Sequence, residues 1–181
     1  TAMVARGDAP AASMPPAPAL PVIRQVRTDE SARAEPLDAA TAHTIAEGQE
    51  CFLPEHMTFS NESHPIAPDT VMTLIACDSG AYNFSSLIYV RRGGGAPEQA
   101  RFDVPVGWND DGPPVLVNAW WDPVAATLYS YAKGRGIGDC GTAQSFVWDG
   151  AMFRLIEQRV MGECRGSMRW ITVWRAEIAA P

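Results

Sequence analysis

The stretch Ser130-Tyr131-Ala132-Lys133-Gly134-Arg135-Gly136-Ile137-Gly138-Asp139-Cys140-Gly141 decides how the chain is read. Tyr129 and Tyr131 alternate with small or polar residues, as in a half-buried strand, and at Lys133 the run gives way to a turn holding four glycines. Glycine reaches positive φ without steric cost, so the backbone can reverse tightly there. The spacing of Gly136, Gly138 and Gly141 also matches the dinucleotide fingerprint G-x-G-x-x-G, which requires a helix immediately after it to hold the pyrophosphate. The chain instead continues as Ala143-Gln144-Ser145-Phe146-Val147-Trp148, aromatic and β-branched, leading into the hairpin signal Asp149-Gly150. A structural loop anchored by Cys140 is therefore expected. Arg135 and Asp139 are expected to pair with each other or to cap loose backbone groups, and Arg135 is also a candidate ligand contact.

Outward from this loop, period-two alternation and turn signals mark further strands. They are expected at Val71 to Cys77, Ser85 to Val90, Arg101 to Val104, Leu116 to Trp121, Thr127 to Ala132, Ala143 to Trp148, Met152 to Val160 and Trp170 to Ala176. About eight short strands separated by turns make a mainly β fold, an antiparallel sandwich or barrel. Asp38 to Glu47, between Pro36 and Gly48, is the one short helix candidate. An Ala- and Pro-rich tract through Pro21 cannot form a helix or a central strand and reads as an extended arm. With no aromatic residue before Phe52, the packed core is expected to begin near Cys51: residues 1–50 form the arm with the short helix, and 51–181 a disulfide-stabilised β domain.

The chain has 181 residues and a net charge of −7, and its basic residues are scattered arginines with a single lysine, Lys133. That balance disfavours nucleic acid and anionic membranes as partners. No apolar run approaches the roughly 18 residues of a membrane-spanning helix. Cys51, Cys77, Cys140 and Cys164 contain no C-x-x-C pair, so zinc spacing is absent. Pairing Cys51 with Cys77 and Cys140 with Cys164 is preferred among the three possibilities, because each closes a loop of about 25 residues worth roughly 3.5 kcal/mol. Such bridges imply an oxidising compartment, the periplasm or beyond.

No constellation assembles a catalytic site, and no cofactor or metal site is expected. Cys51 with His56 is a poor thiolate pair if Cys51 is oxidised. Ser60, His56, His64 and Glu62 are close in sequence only, though the polar segment from His56 to His64 supplies an alternative reading as an envelope hydrolase or a metal site. Asp110 and Asp111 beside Gly112-Pro113-Pro114 read as a solvated turn, and His43 as a surface histidine. Among six tryptophans, most are expected to fill the core, but adjacent Trp120 and Trp121 must point to opposite faces of a strand, so at least one should face outward or cover an edge, and an exposed one is a candidate binding surface.

From Gly80-Ala81-Tyr82-Asn83 onward the chain resembles the C-terminal half of an uncharacterised proteobacterial family, domain of unknown function 1176. The matching pieces run from Ser130 to Gly141, Phe146-Val147-Trp148-Asp149-Gly150, Phe153-Arg154-Leu155, Met161 to Gly166, and Trp174-Arg175-Ala176-Glu177. Val4 to Pro10 and on through Leu20-Pro21 resembles the middle of its members. The resemblance implies an exported envelope protein and a chain that is part of a longer one, with no assigned activity, cofactor or catalytic residues. The expected role is a non-catalytic binding or accessory-subunit domain, for a protein partner or a small envelope ligand. Arg135, Asp139, Arg165, Trp120 and Trp121 are the candidate contacts, Arg165 being brought near by the Cys140–Cys164 bridge. The other alternative is a structural lobe of a longer protein.

Overall fold

An apolar run such as Val71 to Cys77 does not alternate, so it suits a strand covered on both faces. The computed structural model, which describes residues 17–29, 33–52, 61–104 and 115–179, places it at the centre of a sheet between two layers. Along the chain the elements are β1 (Val22–Ile23), α1 (Ala39–Gly48), β2 (Glu62–Ala67), β3 (Thr70–Ser79), β4 (Phe84–Arg92), β5 (Glu98–Gln99) and β6 (Leu116–Val117), then β7 (Trp120–Asp122), β8 (Thr127–Lys133), β9 (Gly141–Trp148), β10 (Phe153–Met161), β11 (Ile171–Arg175) and β12 (Glu177–Ile178). One antiparallel sheet has the order β2-β3-β4-β5, with β6 also on β4; the other has the order β11-β10-β9-β8-β7. Both are open, so the fold is a sandwich and the barrel alternative is excluded.

The two sheets share one core. Met72, Leu74, Ile88 and Val90 meet Leu128, Phe146, Trp148 and Phe153 across it. The other face of β3 and β4 carries Ile75, Cys77 and Leu87, which pack on Ala42 of α1. Asp38 caps that helix, accepting from the Thr41 amide at 2.9 Å, and Cys51 just beyond it is bonded to Cys77.

Two expected strands behave differently, for a common reason. Leu116 to Trp121 splits at Asn118 into β6 of one sheet and β7 of the other, and Arg101 to Val104 forms only an isolated bridge between Phe102 and Phe153. Both segments carry the chain from one sheet to the other, so their alternation is real but cannot extend a single ladder. Conversely, β2 lies where no strand was expected. Pro65 interrupts it, which an edge strand tolerates because its outer side needs no amide donor.

Asn118 holds the second crossing with φ near 44°. Its Oδ1 accepts from the Phe84 amide at 3.0 Å, and its Nδ2 donates to Tyr131 O at 2.8 Å and Asn83 Oδ1 at 3.0 Å. Asn83 in turn bonds both the amide and the carbonyl of Lys133. The pair stitches β4 to β8, and asparagine is one of the few residues that tolerates the left-handed region. Asn118→Ala should lose about 3 kcal/mol, three hydrogen bonds at roughly 1 kcal/mol each. Asn118→Gly should lose a similar amount although it relieves the backbone, and a denaturation midpoint unchanged in both would refute the stitch.

The arm does not end free of the fold. Val22 and Ile23 pair in parallel with Glu177 and Ile178, Glu177 N donates to Pro21 O and Ala179 N to Ile23 O, each at 2.8 Å. Val26 N then donates to Trp148 O, and Gln25 Nε2 to the carbonyls of Ala125 and Ala126.

Candidate functional site

The β8–β9 connection is built from the inside. Gly134 N donates to Cys140 O at 2.8 Å, Gly138 N to Arg135 O at 2.9 Å, and the Tyr131 hydroxyl to Gly138 O at 2.7 Å. Inside this turn the Asp139 side chain is 2% exposed and bound bidentately by Arg135, Nε to Oδ1 at 2.7 Å and an Nη to Oδ2 at 2.5 Å. Oδ2 also accepts from Gly166 N at 2.5 Å, and Cys140 is bonded to Cys164. Asp139 and the disulfide thus tie the same two loops together, 134–140 and 162–170.

The arrangement holds Asp139 ionised: the Arg135 hydrogen bonds, first among the causes, lower its pKa from 3.8 to about 2 against the opposing effect of burial. Because the folded value lies below the unfolded one, this stabilisation is complete above about pH 4 and is lost as pH falls towards 2. The melting temperature of the wild type should therefore fall across that window, and Asp139→Asn should melt lower at neutral pH with a flatter acid limb. Parallel curves for the two proteins would show that the pair carries none of the acid sensitivity.

The five candidate contacts do not converge. Arg135 and Asp139 bind each other; Arg165 reaches Glu163 at 2.7 Å on an exposed surface. Trp121 is buried in the core, 6.5 Å from the His64 ring, whereas Trp120 is 48% exposed and stacks on Tyr129 with centroids 4.7 Å apart. His56, Ser60, Asp110 and Asp111 lie outside the described residues. His43 sits on the helix surface, 3.2 Å from Glu47.

His64 lines a cavity of about 170 Å³ with Thr28, Pro65, Trp121 and Ala126. Its Nε2 is 3.4 Å from Glu62 without a hydrogen bond, and the neighbouring Ser63 hydroxyl is bonded to Thr73 at 2.9 Å. The described residues thus place no serine nucleophile on that nitrogen. Asp139, Cys140 and Cys164 are the one group of metal-ligand type among the described residues. Their chemistry does not suit a metal, since both sulfurs are in the disulfide and the carboxylate is already bound.

The surface that sequence reading missed is a row of side chains crossing all five strands of the second sheet. Trp120 pairs with Tyr129, Tyr129 with Ser145, Ser145 with Glu157 and Glu157 with Arg175, so the five share the outer face. Glu157 is held from two sides, Arg159 Nε to Oε1 at 3.1 Å and Arg175 to Oε2 at 3.3 Å. Two residues further along β8, Tyr131 stacks on Trp170 at 5.1 Å, so the 162–170 loop folds over the same face. Because Ser145 is small and its neighbours in the row are large, the row dips there into a shallow trough between Tyr129, backed by Trp120, and the Glu157–arginine cluster.

The family model for a protein of unknown function, DUF1176, matches residues 1–177. The chain belongs to that family. The match takes in all but the last four residues, joining the two stretches, Val4 to Pro21 and Gly80 onward, that carried the resemblance, and corrects its restriction to a C-terminal half. The DUF1176 chain is similar to the uncharacterized protein YpfG of Escherichia coli (strain K12), 29% identical over an alignment of 187 positions that covers 96% of this chain and 52% of the relative. It spans about half the length of that relative. No solved structure matches it. Two disulfides mark this DUF1176 chain as suited to an oxidising environment, and no helix among the described residues is long and apolar enough to cross a membrane.

Proposed function

We propose that this is an exported, non-catalytic binding domain of the periplasm or extracellular space, and that it holds a small ligand on the outer face of the β7–β11 sheet. One observation carries the reading: Trp120, Tyr129, Ser145, Glu157 and Arg175 form a continuous half-exposed row combining stacked rings with hydrogen-bonding and charged groups. Core packing has no use for that combination at a surface, whereas binding sites are made of it. Arg135 and Asp139 serve this reading indirectly, by bracing the loops that flank the trough.

The test is retention of ligand by the full chain taken from its native compartment and weighed by native mass spectrometry without reductant. The wild type is expected to carry a small molecule that Trp120→Ala and Tyr129→Ala lose, with melting temperatures little changed because both side chains are partly exposed. A ligand retained equally by all three proteins would refute the site.

A second reading, an accessory subunit, draws support from β11. It is an edge strand, and Ile171 and Val173 on it are exposed, 65% and 45%. Unpaired, apolar edges accept a partner strand. In the same spectrum, that reading expects a second polypeptide that is lost on Ile171→Lys and not on Trp120→Ala.

A further inference from the structure

Resting on the trough as a binding site, we infer that its ligand is a short oligosaccharide bearing a carboxylate, stacked on Tyr129 and paired with Arg159 and Arg175. The aromatic wall presents one ring backed by another: Trp120 covers the β7 side of Tyr129, which leaves the opposite ring face turned toward Ser145 and β9. A flat apolar face beside hydrogen-bonding groups fits the C–H face of a pyranose better than it fits a fully apolar ligand. Ser145, with its small side chain, leaves room above the strand between that face and Glu157.

The far wall reads the charge. Arg159 and Arg175 each engage one oxygen of Glu157, so the cluster carries one net positive charge and retains N–H donors beyond those facing Glu157. The space between the two guanidiniums is filled by Glu157 itself, so a ligand carboxylate would be met by the N–H groups that Glu157 leaves unused, through charge-assisted hydrogen bonds. Glu157 also offers an acceptor to sugar hydroxyls. From Tyr129 to Arg175 is three strand spacings, about 14 Å, which accommodates a short oligosaccharide rather than a single sugar. The domain as a whole is acidic, at −7, so this local positive charge is a specific feature and not part of a general basic surface.

The experiment titrates the full chain with two probes of equal length, a hyaluronan tetrasaccharide, which carries glucuronate carboxylates, and neutral chitotetraose, by isothermal calorimetry at low and moderate salt. The acidic probe is expected to bind at least tenfold tighter, with the advantage shrinking as salt rises. Arg159→Gln with Arg175→Gln should bring the two affinities together. Tyr129→Ala should weaken both. Equal affinities in the wild type, or a preference that survives the double arginine substitution, would overturn the carboxylate assignment while leaving the binding face intact. Failure of both probes to bind, with a native ligand still lost on Trp120→Ala, would overturn the saccharide class alone. A native ligand indifferent to Trp120 and Tyr129 would overturn the binding face itself.

Discussion

Gly141→Ala should be among the most damaging single substitutions in the chain, costing about 4 kcal/mol. Gly141 opens β9 at a φ of +135°, where side chains other than hydrogen are strained, and a Cβ there would lie 1.9 Å from the Ala132 carbonyl oxygen and 3.0 Å from the Gly134 nitrogen. Both obstacles are backbone, Ala132 pinned in the β8–β9 ladder and Gly134 by its hydrogen bond to Cys140 O, so neither can swing aside as a flexible side chain would. Conformational strain of 1–3 kcal/mol and overpacking of a similar size then add to roughly 4 kcal/mol, set against a net stability of about 5–15 kcal/mol for a domain. Gly162→Ala supplies the control. Nothing lies within 4 Å of the Cβ it would add, and its φ is not in the positive region, so its effect should stay within about 0.5 kcal/mol. Urea midpoints that moved equally for the two variants would refute this account of Gly141.

The second large effect is expected on removing the Cys140–Cys164 bridge by Cys140→Ser with Cys164→Ser. The bridge closes 24 residues of sequence separation, and loop entropy alone gives roughly 3.5 kcal/mol. Part of that constraint survives without the sulfurs, because Asp139 still reaches Gly166 across the same two loops. The measured loss should therefore be somewhat smaller, about 3 kcal/mol. Two ties closing one loop cannot be independent, so adding Asp139→Asn to the serine pair should cost more than it does alone in the oxidised protein. Strict additivity of the denaturation energies would mean that the carboxylate and the disulfide restrain different motions, contrary to the geometry.

Much of this architecture was legible in the residues, and the rest was hidden for identifiable reasons. The β8–β9 turn announced itself because glycines at a strand end have one main use, and the β9–β10 reversal because Asp149-Gly150 favours a turn, although the connection takes four residues, 149–152, rather than two. The two crossings between sheets were opaque: Asn118 and Phe102 sit in alternating patterns that look like uninterrupted strands, and only pairing partners far along the chain decide which sheet each side belongs to. β2 was hidden by Pro65, a residue that argues against a strand until one knows it is at an edge. The trough was illegible for a related reason. Tyr129, Ser145, Glu157 and Arg175 are separated by 12 to 18 residues each, and they become neighbours only through the register of three ladders, which a single sequence does not specify. Trp120 stood out because its neighbour Trp121 forced a choice of faces; nothing in the local sequence said which of the two would be outside.

The parallel ladder between β1 and β12 has a mechanical meaning. Because the two strands run the same way, the polypeptide before Val22 and the polypeptide after Ile178 leave the ladder from opposite ends. Tension applied between those two directions loads the bonds from Glu177 to Pro21 and from Ala179 to Ile23 in shear, so that both must yield together instead of unzipping in turn. A pull on the ends of this module is thus borne first by a short clasp outside the sandwich, and the trough on the β7–β11 sheet keeps its shape until that clasp gives way.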